Sequence, residues 1–370
     1  MKKKTVILFS LIFITYSGSA VNIDTSYIQK FKNLFAIKSF FLNNGFQYTI
    51  TPQNNNLFDQ KQLNNAQIIY TANIPPVTGI SINAKGVGFT YIFKFTNDYL
   101  DTTTSIKSGF KQFQINMYGN KFGFETYYQS YSRFYFHYNG DQILLKKFNS
   151  VIQASQFGMS GIYINNNKKF SYNAAFNQNQ FQKKSAGSAL SVIAFKYCEI
   201  RGNNLIPDGV RKYYEYSSLN SNRNYAFLFQ EGYAYNLVKN NFYFSNALFV
   251  GVGLQNQLYD YPPYRFHKIG VPLSARGKSS IGYNGKIFSG GIYANVDFAQ
   301  SKIKTLQTEQ FQYTYGLYIG LRAITLTKPK YLIRQEAKRK KEAEKEAKKE
   351  AAQKVKDDKK KAADTKKNKK

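Results

Sequence analysis

Residues 311–325 read FQYTYGLYIGLRAIT, a segment in which apolar and polar side chains alternate. One set of alternate positions is apolar: Phe311, Tyr313, Tyr315, Leu317, Ile319, Leu321 and Ala323. The other set includes Gln312, Thr314, Gly316, Gly320 and Arg322. Because a period of two places successive side chains on opposite faces of a strand, this segment predicts a strand with one apolar and one polar face.

Similar aromatic-rich segments recur from about Phe35 to Leu326, and they predict about twelve strands, within a range of roughly 10–14. The predicted strands are residues 35–51, 79–84, 87–95, 110–118, 122–136, 170–176, 189–197, 225–237, 242–254, 280–286, 291–298 and 311–326. Strands with an apolar outer face and a polar inner face suit a barrel in a bilayer, where closure leaves no backbone group unpaired. The predicted fold class is therefore an all-β, antiparallel transmembrane barrel.

The links between these predicted strands alternate in length. Short links follow the even-numbered strands, whereas long links follow the odd-numbered ones and include residues 139–168, 201–223 and 255–278. Outer-membrane barrels have short periplasmic turns and long extracellular loops. With an even number of strands, both termini are expected on the periplasmic side, together with the short links.

The eighth predicted strand contains a conflict with this pattern. Glu231 falls on the apolar face, among Phe227, Phe229, Tyr233 and Tyr235. A β-bulge at Glu231-Gly232 would turn the carboxylate inward. The alternative is that the strand has a different register.

The first twenty residues have the features of a signal peptide. Three lysines at positions 2–4 precede an apolar run at 5–16, and the small residues 17–20 suit cleavage after Ala20. We expect residues 1–20 to be a signal peptide, residues 21–327 a barrel domain in the outer membrane of a Gram-negative-type bacterium, and residues 328–370 a periplasmic tail. The single cysteine, Cys198, excludes an intrachain disulfide.

The chain is strongly basic, with 52 Lys and Arg against 21 Asp and Glu, a net charge of +31. Residues 328–370 contribute 19 basic and 8 acidic side chains, and residues 21–327 contribute 30 and 13. Nucleic acid is the usual partner of so basic a chain, but export argues against it. We expect contact with membrane lipid, and as further partners lipopolysaccharide, cell-wall polymer or a periplasmic protein.

The tail contains a block rich in alanine, glutamate and lysine at residues 339–356, which favours a helix or a disordered segment. It lacks an apolar stripe, so it is not expected to pack or insert. Its net charge of +11 suggests contact with an anionic lipid or wall polymer.

Several segments resemble a known family. They are YTANIPP at 70–76, GISIN at 79–83, VGFT at 87–90, KFSYNAAFNQ at 169–178, QKKSAGS at 182–188 and GYNG at 282–285. Together they are similar to the domain-of-unknown-function family forty-four twenty-one, a set of predicted outer-membrane barrels, over about Asp24 to Leu326. The resemblance implies a barrel and its location, and it implies no activity.

Candidate functional residues lie on the polar face of the predicted strands. Lys94, Glu125, Asp297 and Arg322 are expected to face the lumen, where they could line a pore or hold the barrel closed by ion pairing. No cofactor or metal is predicted, because two histidines and one cysteine supply no ligand cluster.

Three functions remain open from the sequence. The first is a passive pore or surface-binding barrel. The second is a closed structural barrel whose basic tail tethers it to the wall, to anionic lipid or to a partner. The third is a hydrolase at the rim, using His137 or His267; since no nucleophile–base motif accompanies them, we predict that the protein is not an enzyme.

Overall fold

The computed structural model of the protein describes residues 23–31, 35–53, 58–84, 86–94, 107–138, 147–215, 218–302, 305–323 and 342. The chain divides into two units, Met1–Ile324 and Thr325–Lys370. In the second unit the described residue is Glu342, which is helical. The predicted signal peptide and the rest of the predicted tail lie outside the described residues.

The described elements are almost all strands. In chain order they are β1 (Ile28–Lys30), β2 (Phe35–Pro52), α1 (Gln60–Asn65), β3 (Ile68–Thr71), β4 (Val77–Ala84), β5 (Val87–Lys94), β6 (Gly109–Tyr118), β7 (Phe122–Tyr138), β8 (Lys147–Ile164), α2 (Tyr172–Phe176), β9 (Gln180–Gln182), β10 (Ala186–Arg201), a 3-10 helix (Asp208–Tyr213), β11 (Ser221–Lys239), β12 (Phe242–Tyr261), β13 (Tyr264–Gly270), β14 (Leu273–Asn284), β15 (Phe288–Lys302) and β16 (Leu306–Ala323).

Within the described ranges, twelve of these strands form a closed antiparallel ring. Its order is β2, β4, β5, β6, β7, β8, β10, β11, β12, β14, β15 and β16. The ring closes because β16 pairs with β2 along its full length, from Leu306 opposite Pro52 to Ala323 opposite Phe35. The predicted fold class, an antiparallel barrel of about twelve strands, is confirmed.

The alternation predicted for residues 311–325 is present in β16. Phe311, Tyr313, Tyr315, Leu317, Ile319 and Leu321 are exposed on the outer face, whereas Thr314, Tyr318 and Arg322 are buried on the inner one. Most other strands of the ring likewise expose large apolar side chains outward. An exposed apolar belt around a closed barrel has lipid as its solvent, so the protein is an outer-membrane barrel.

No helix among the described residues combines the length and the apolar character needed to cross a bilayer.

Glu231 lies on the lipid-facing surface, and the predicted bulge at Glu231-Gly232 is wrong. The pairing of β11 with β10 and β12 runs without a register shift through Glu231, opposite Ser191 and Val250. The carboxylate accepts a hydrogen bond from Ser191 Oγ at 3.0 Å. The predicted register was therefore right, and the side chain is a polar residue within the apolar belt.

The prediction of a sixth strand at residues 170–176 is wrong, because this segment contains the helix α2. Ser171 caps α2 there by accepting a hydrogen bond from Ala174 N. The strand that occupies this place in the ring is β8, within a segment predicted to be a loop. The alternation of link lengths consequently holds only in part, since the link between β8 and β10 is long and the link between β15 and β16 is short.

Two ends of the barrel can be distinguished. At the terminal end β2 begins and β16 ends, and at the loop end β2 ends and β16 begins. Residues 165–185, here called the plug, connect β8 to β10 at the terminal end. Residues 202–220, here called the cap, connect β10 to β11 at the loop end.

Candidate functional site

The plug lies inside the terminal end of the barrel. Its buried residues are Phe170, Ser171, Tyr172, Asn173, Ala174, Ala175, Asn177, Gln178, Asn179, Gln180 and Gln182. Its polar side chains form hydrogen bonds with strands around the ring. Asn177 Nδ2 donates to Asn83 Oδ1 on β4 at 3.2 Å, and Gln178 Nε2 donates to the Tyr243 hydroxyl on β12 at 3.0 Å. A segment that reaches side chains on separated strands fills the lumen at this end.

Two buried cations hold the plug in place. Lys38 Nζ donates to Asn177 O at 2.5 Å and to Gln178 Oε1 at 2.8 Å. Arg322 donates to Gln178 O at 2.6 Å and to Asn284 Oδ1 at 2.5 Å. Both side chains are buried. Because moving the plug would leave these buried donors and acceptors unpaired, the contacts fix its position.

The N-terminal part of the described chain adds to the plug. Strand β1 pairs with β9, placing Ile28 opposite Gln182 and Lys30 opposite Gln180. The ring of Phe31 lies 4.7 Å from the Arg322 guanidinium. The terminal end is therefore closed by two segments, distant in sequence, that pair with each other.

The cap closes the loop end with an apolar core. Leu205, Ile206, Val210, Tyr214 and Leu219 are buried in one cluster with side chains of the ring. Tyr214 also donates its hydroxyl to Ala66 O at 2.9 Å. Burial of these side chains removes apolar surface from water and stabilises the closed arrangement.

At mid-height an ion cluster crosses the lumen. Glu125 on β7 accepts from Lys278 Nζ at 2.6 Å and lies 3.3 Å from Arg276 NH1, both on β14. Strands β7 and β14 are five positions apart in the ring of twelve, so these side chains meet from almost opposite walls. Tyr118 and Tyr172 also donate to Glu125, at 2.5 and 3.3 Å.

A second ion pair and an amide contact span the lumen nearby. Lys196 Nζ on β10 lies 2.6 and 2.7 Å from the two carboxylate oxygens of Asp297 on β15. Gln312 Nε2 on β16 donates to Gln129 Oε1 on β7 at 2.9 Å. Opposite walls are thus joined at several points.

The burial of these charges determines their energetic role. The side chains of Glu125, Arg276 and Lys278 are 7, 10 and 13% exposed. Separating them inside the lumen would leave buried charges without partners, which is costly, whereas the closed arrangement satisfies them. A polar cavity of about 120 Å³, large enough for several waters, remains beside the cluster.

The four residues predicted to face the lumen occupy different places. Glu125 and Asp297 take part in the two cross-lumen ion pairs, and Arg322 binds the plug. Lys94 is the last residue of β5, opposite Val77 in the register with β4, and is half-buried. Arg276 and Lys278 were not predicted to face the lumen, because the predicted strand began at Ser280. The alternation of these cations with Ala275 and Gly277 is the signal that could have extended it.

The histidines of the predicted rim site lie at the loop end. His137 pairs with Ile69 between β7 and β3. His267 is exposed on β13, with Nδ1 at 3.3 Å from Asn256 Oδ1. Asp260 on β12, at the same end of the barrel, lies 3.4 Å from Arg265. No group of three His, Cys, Asp or Glu within the described part of the chain is arranged to hold a metal ion.

Several solved structures are similar to this chain. They include the outer membrane protease OmpT from Escherichia coli (7% identity, 82% of this chain and 100% of that chain, TM-score 0.38), the translocator domain of the autotransporter NalP from Neisseria meningitidis (11%, 85% and 96%, 0.29) and the toluene transporter TbuX from Ralstonia pickettii (8%, 78% and 90%, 0.24). Likenesses this weak carry no argument about activity or binding. No curated protein matches the chain.

The family resemblance noted in the sequence is confirmed by a match that covers most of the chain. The matched residues, 22–322, include the plug, the cap and the ring up to Arg322. The chain therefore belongs to the family described as Domain of unknown function (DUF4421).

Proposed function

We propose that this protein is a closed membrane barrel that acts by binding at its two ends rather than as an open pore. The observation that carries the proposal is the cross-lumen ion cluster, in which Glu125 on one wall meets Arg276 and Lys278 on the other. The plug and the cap support it, since each fills one end of the lumen. Among the functions left open by the sequence, the closed structural barrel fits these contacts better than the passive pore.

The proposed orientation places the terminal end in the periplasm. An even number of strands brings both ends of the ring to one side, where the short links after β4, β6, β11 and β14 also lie. The cap and the other loop-end segments would then face the cell exterior. This arrangement would make the loop end the outward binding surface, with lipopolysaccharide phosphates as a candidate contact for its basic residues.

The proposed role of the basic tail is that of a tether. Residues 328–370 carry a net charge of +11 and, in the proposed orientation, would continue from β16 into the periplasm. A solvated cationic segment there would meet the anionic inner surface of the membrane or anionic cell-wall polymer. The barrel would anchor the segment, and the segment would hold the wall or lipid.

Deletion of Lys338–Lys370 tests the tether. Co-sedimentation with purified cell wall and with vesicles containing anionic lipid should fall to the level of neutral vesicles, and added salt should abolish the binding of the intact protein. A tail of equal length with its lysines replaced by glutamine separates charge from length. Unchanged binding after deletion would contradict the tether without bearing on the closed lumen.

Liposome swelling tests the closed barrel separately. Proteoliposomes in an isotonic solution of a small sugar should swell no faster than protein-free liposomes. Swelling that increases with the amount of inserted protein would contradict the proposal.

A further inference from the structure

The carboxylate of Glu231 lies at the centre of the apolar belt. Three large apolar side chains lie on each side of it along the outer face of β11: Tyr225, Phe227 and Phe229 toward the loop end, and Tyr233, Tyr235 and Leu237 toward the terminal end. All six are exposed on the lipid-facing surface, and so is Glu231. At this depth the bilayer offers no water as a hydrogen-bond partner.

The neighbouring strands satisfy this carboxylate only in part. Ser191 Oγ on β10 donates to one of its oxygens at 3.0 Å, and the described residues supply no bond to the other oxygen. On β12 the residue opposite Glu231 is Val250, which is apolar and 57% exposed. Ionisable side chains in hydrocarbon are rare, and they usually pair with another polar group.

The next two strands add a second polar contact to the same outer surface. Asn246 on β12 and Ser279 on β14 are opposite each other in the register, and both are exposed. Ser279 Oγ donates to Asn246 Oδ1 at 2.6 Å. By contrast, the outer side chains of β16 are apolar from Phe311 to Leu321. We call the surface formed by Ser191, Glu231, Asn246 and Ser279 the polar face, and it is more polar than contact with lipid alone requires.

A second copy of this chain would present a matching group at the same depth. Two barrels inserted in the same direction can be related by a two-fold axis along the membrane normal, and this axis keeps every residue at its own depth. A residue beside the axis then meets the same residue of the other copy. Two carboxyl groups pair by hydrogen bonds when one of them carries a proton, so Glu231 is complementary to itself.

We propose that the polar face is the contact between two copies of this chain in the membrane, with the two Glu231 carboxyl groups hydrogen-bonded to each other near a two-fold axis. A partner of different sequence would need a polar group of its own at the centre of its span, whereas a second copy already has one. Barrel strands tilt by about 35–45°, so the two copies of β11 cross near Glu231 and diverge toward both ends. The contact does not depend on whether the lumen conducts.

Sedimentation equilibrium of the refolded full chain in micelles tests the dimer. The wild-type protein should show a reversible equilibrium between monomer and dimer. Glu231→Leu places an apolar side chain in the apolar belt, so the barrel itself should fold. Loss of the hydrogen-bonded pair should raise the dimer dissociation constant about 5- to 30-fold. A monomeric wild-type protein, or an unchanged constant in Glu231→Leu, would overturn the proposal.

Two further variants separate the hydrogen bond from a general change of the surface. Glu231→Gln should retain the dimer, because an amide also donates and accepts. Lys111→Leu likewise replaces an exposed charged side chain by leucine, but on β6, four positions from β11 in the ring, and should leave the constant unchanged. A loss in Glu231→Gln as large as in Glu231→Leu would contradict a hydrogen-bonded pair.

Crosslinking in lipid vesicles locates the contact. Facing sheets pack about 10 Å apart, so a bismaleimide of similar length should link two copies of Tyr233→Cys. Leu237→Cys, nearer the terminal end of the same strand, should link much less because the crossing strands diverge there. Ile80→Cys is the matched control, since it is 49% exposed on β4, six positions from β11 in the ring of twelve. The wild-type chain, whose only cysteine is the buried Cys198, gives the background. Equal linking of Ile80→Cys and Tyr233→Cys would contradict the proposed face.

Discussion

At the scale of single residues, the lumen is organised by charges that strand alternation turns inward. Glu125 occupies an inward position of β7, and Arg276 and Lys278 occupy inward positions of β14. Each is held by a partner from the opposite wall rather than by a neighbour on its own strand. A pair of this kind stabilises one width of the lumen, because any widening separates the charges.

Replacing Glu125 by glutamine tests this role. The substitution leaves Arg276 and Lys278 buried without their carboxylate, and we expect the free energy of unfolding in lipid vesicles to fall by about 3–5 kcal/mol. Urea titration monitored by tyrosine fluorescence measures the change.

The matched control is Asp208→Asn, which removes the exposed ion pair with Arg211, where the aspartate side chain is 87% exposed. Its effect should stay below about 1 kcal/mol. An equally small effect for Glu125→Gln would mean that the cluster does not hold the walls together.

At the scale of elements, the plug and the cap close the barrel by different physical means. The plug is held by polar contacts, with Lys38 and Arg322 donating to backbone and amide oxygens. The cap is held by an apolar cluster that includes Leu205, Ile206 and Val210. The two closures should therefore respond to different perturbations.

Loosening of the plug is expected in Lys38→Met. The substitution leaves two buried acceptors, Asn177 O and Gln178 Oε1, without their donor at a cost of about 1–3 kcal/mol each, and should speed backbone hydrogen–deuterium exchange in residues 172–178 at least about tenfold. Lys30→Met, an exposed lysine of β1 at the same end, is the control and should leave the exchange unchanged. Equal exchange in both variants would show that Lys38 does not secure the plug.

Loosening of the cap is expected at alkaline pH. Burial raises the pKa of the Tyr214 phenol, which lies in the cap. Because the folded state favours the protonated phenol, the contribution of this group to the stability of the folded cap is complete below the unfolded pKa of about 10. That contribution is lost as the pH rises above this value.

Proteinase K cleavage within residues 202–220 should accordingly increase between about pH 9 and 11. The increase should be smaller in Tyr214→Phe, which cannot ionise at that position. An identical pH dependence in the variant and the wild-type protein would contradict this origin.

The sequence predicted the strands better than the elements that fill the barrel. The period of two is strong in β16, where the outer face meets lipid along most of its length, so local pattern and environment agree. The alternation is weak in β8, because its inner face is apolar and its outer face is partly polar. The apolar inner residues, which belong to the buried clusters, are Ile152, Ala154, Ile162 and Ile164, and the polar outer residues include Gln153 and Ser155. The plug segment alternates like a strand, but the Ser171 cap and burial inside the barrel favour a helix.

The candidate site was predictable only one residue at a time. Alternation places Glu125, Asp297 and Arg322 on inward positions, but the partner of Glu125 is 153 residues away in sequence. Which inward charges meet depends on the number of strands and their stagger, and a single sequence does not contain this information in any local pattern. The plug contacts of Arg322 were unpredictable for the same reason.

At the scale of the whole molecule, an apolar belt encloses a lumen that is joined across its middle and filled at both ends. Only the belt is required for membrane insertion. The ion cluster, the plug and the cap add buried contacts that an open channel would not need, and together they favour a barrel that functions through its surfaces. The proposed tail tether uses such a surface and requires no passage through the lumen.

The most direct test of the closed lumen is the ionic conductance of the refolded full chain in planar lipid bilayers. We predict that insertion of the folded protein leaves the membrane current at its baseline, with no stable open level over a range of applied voltages. Reproducible unitary steps that persist in the wild-type protein would contradict it and would restore the passive pore as the leading function.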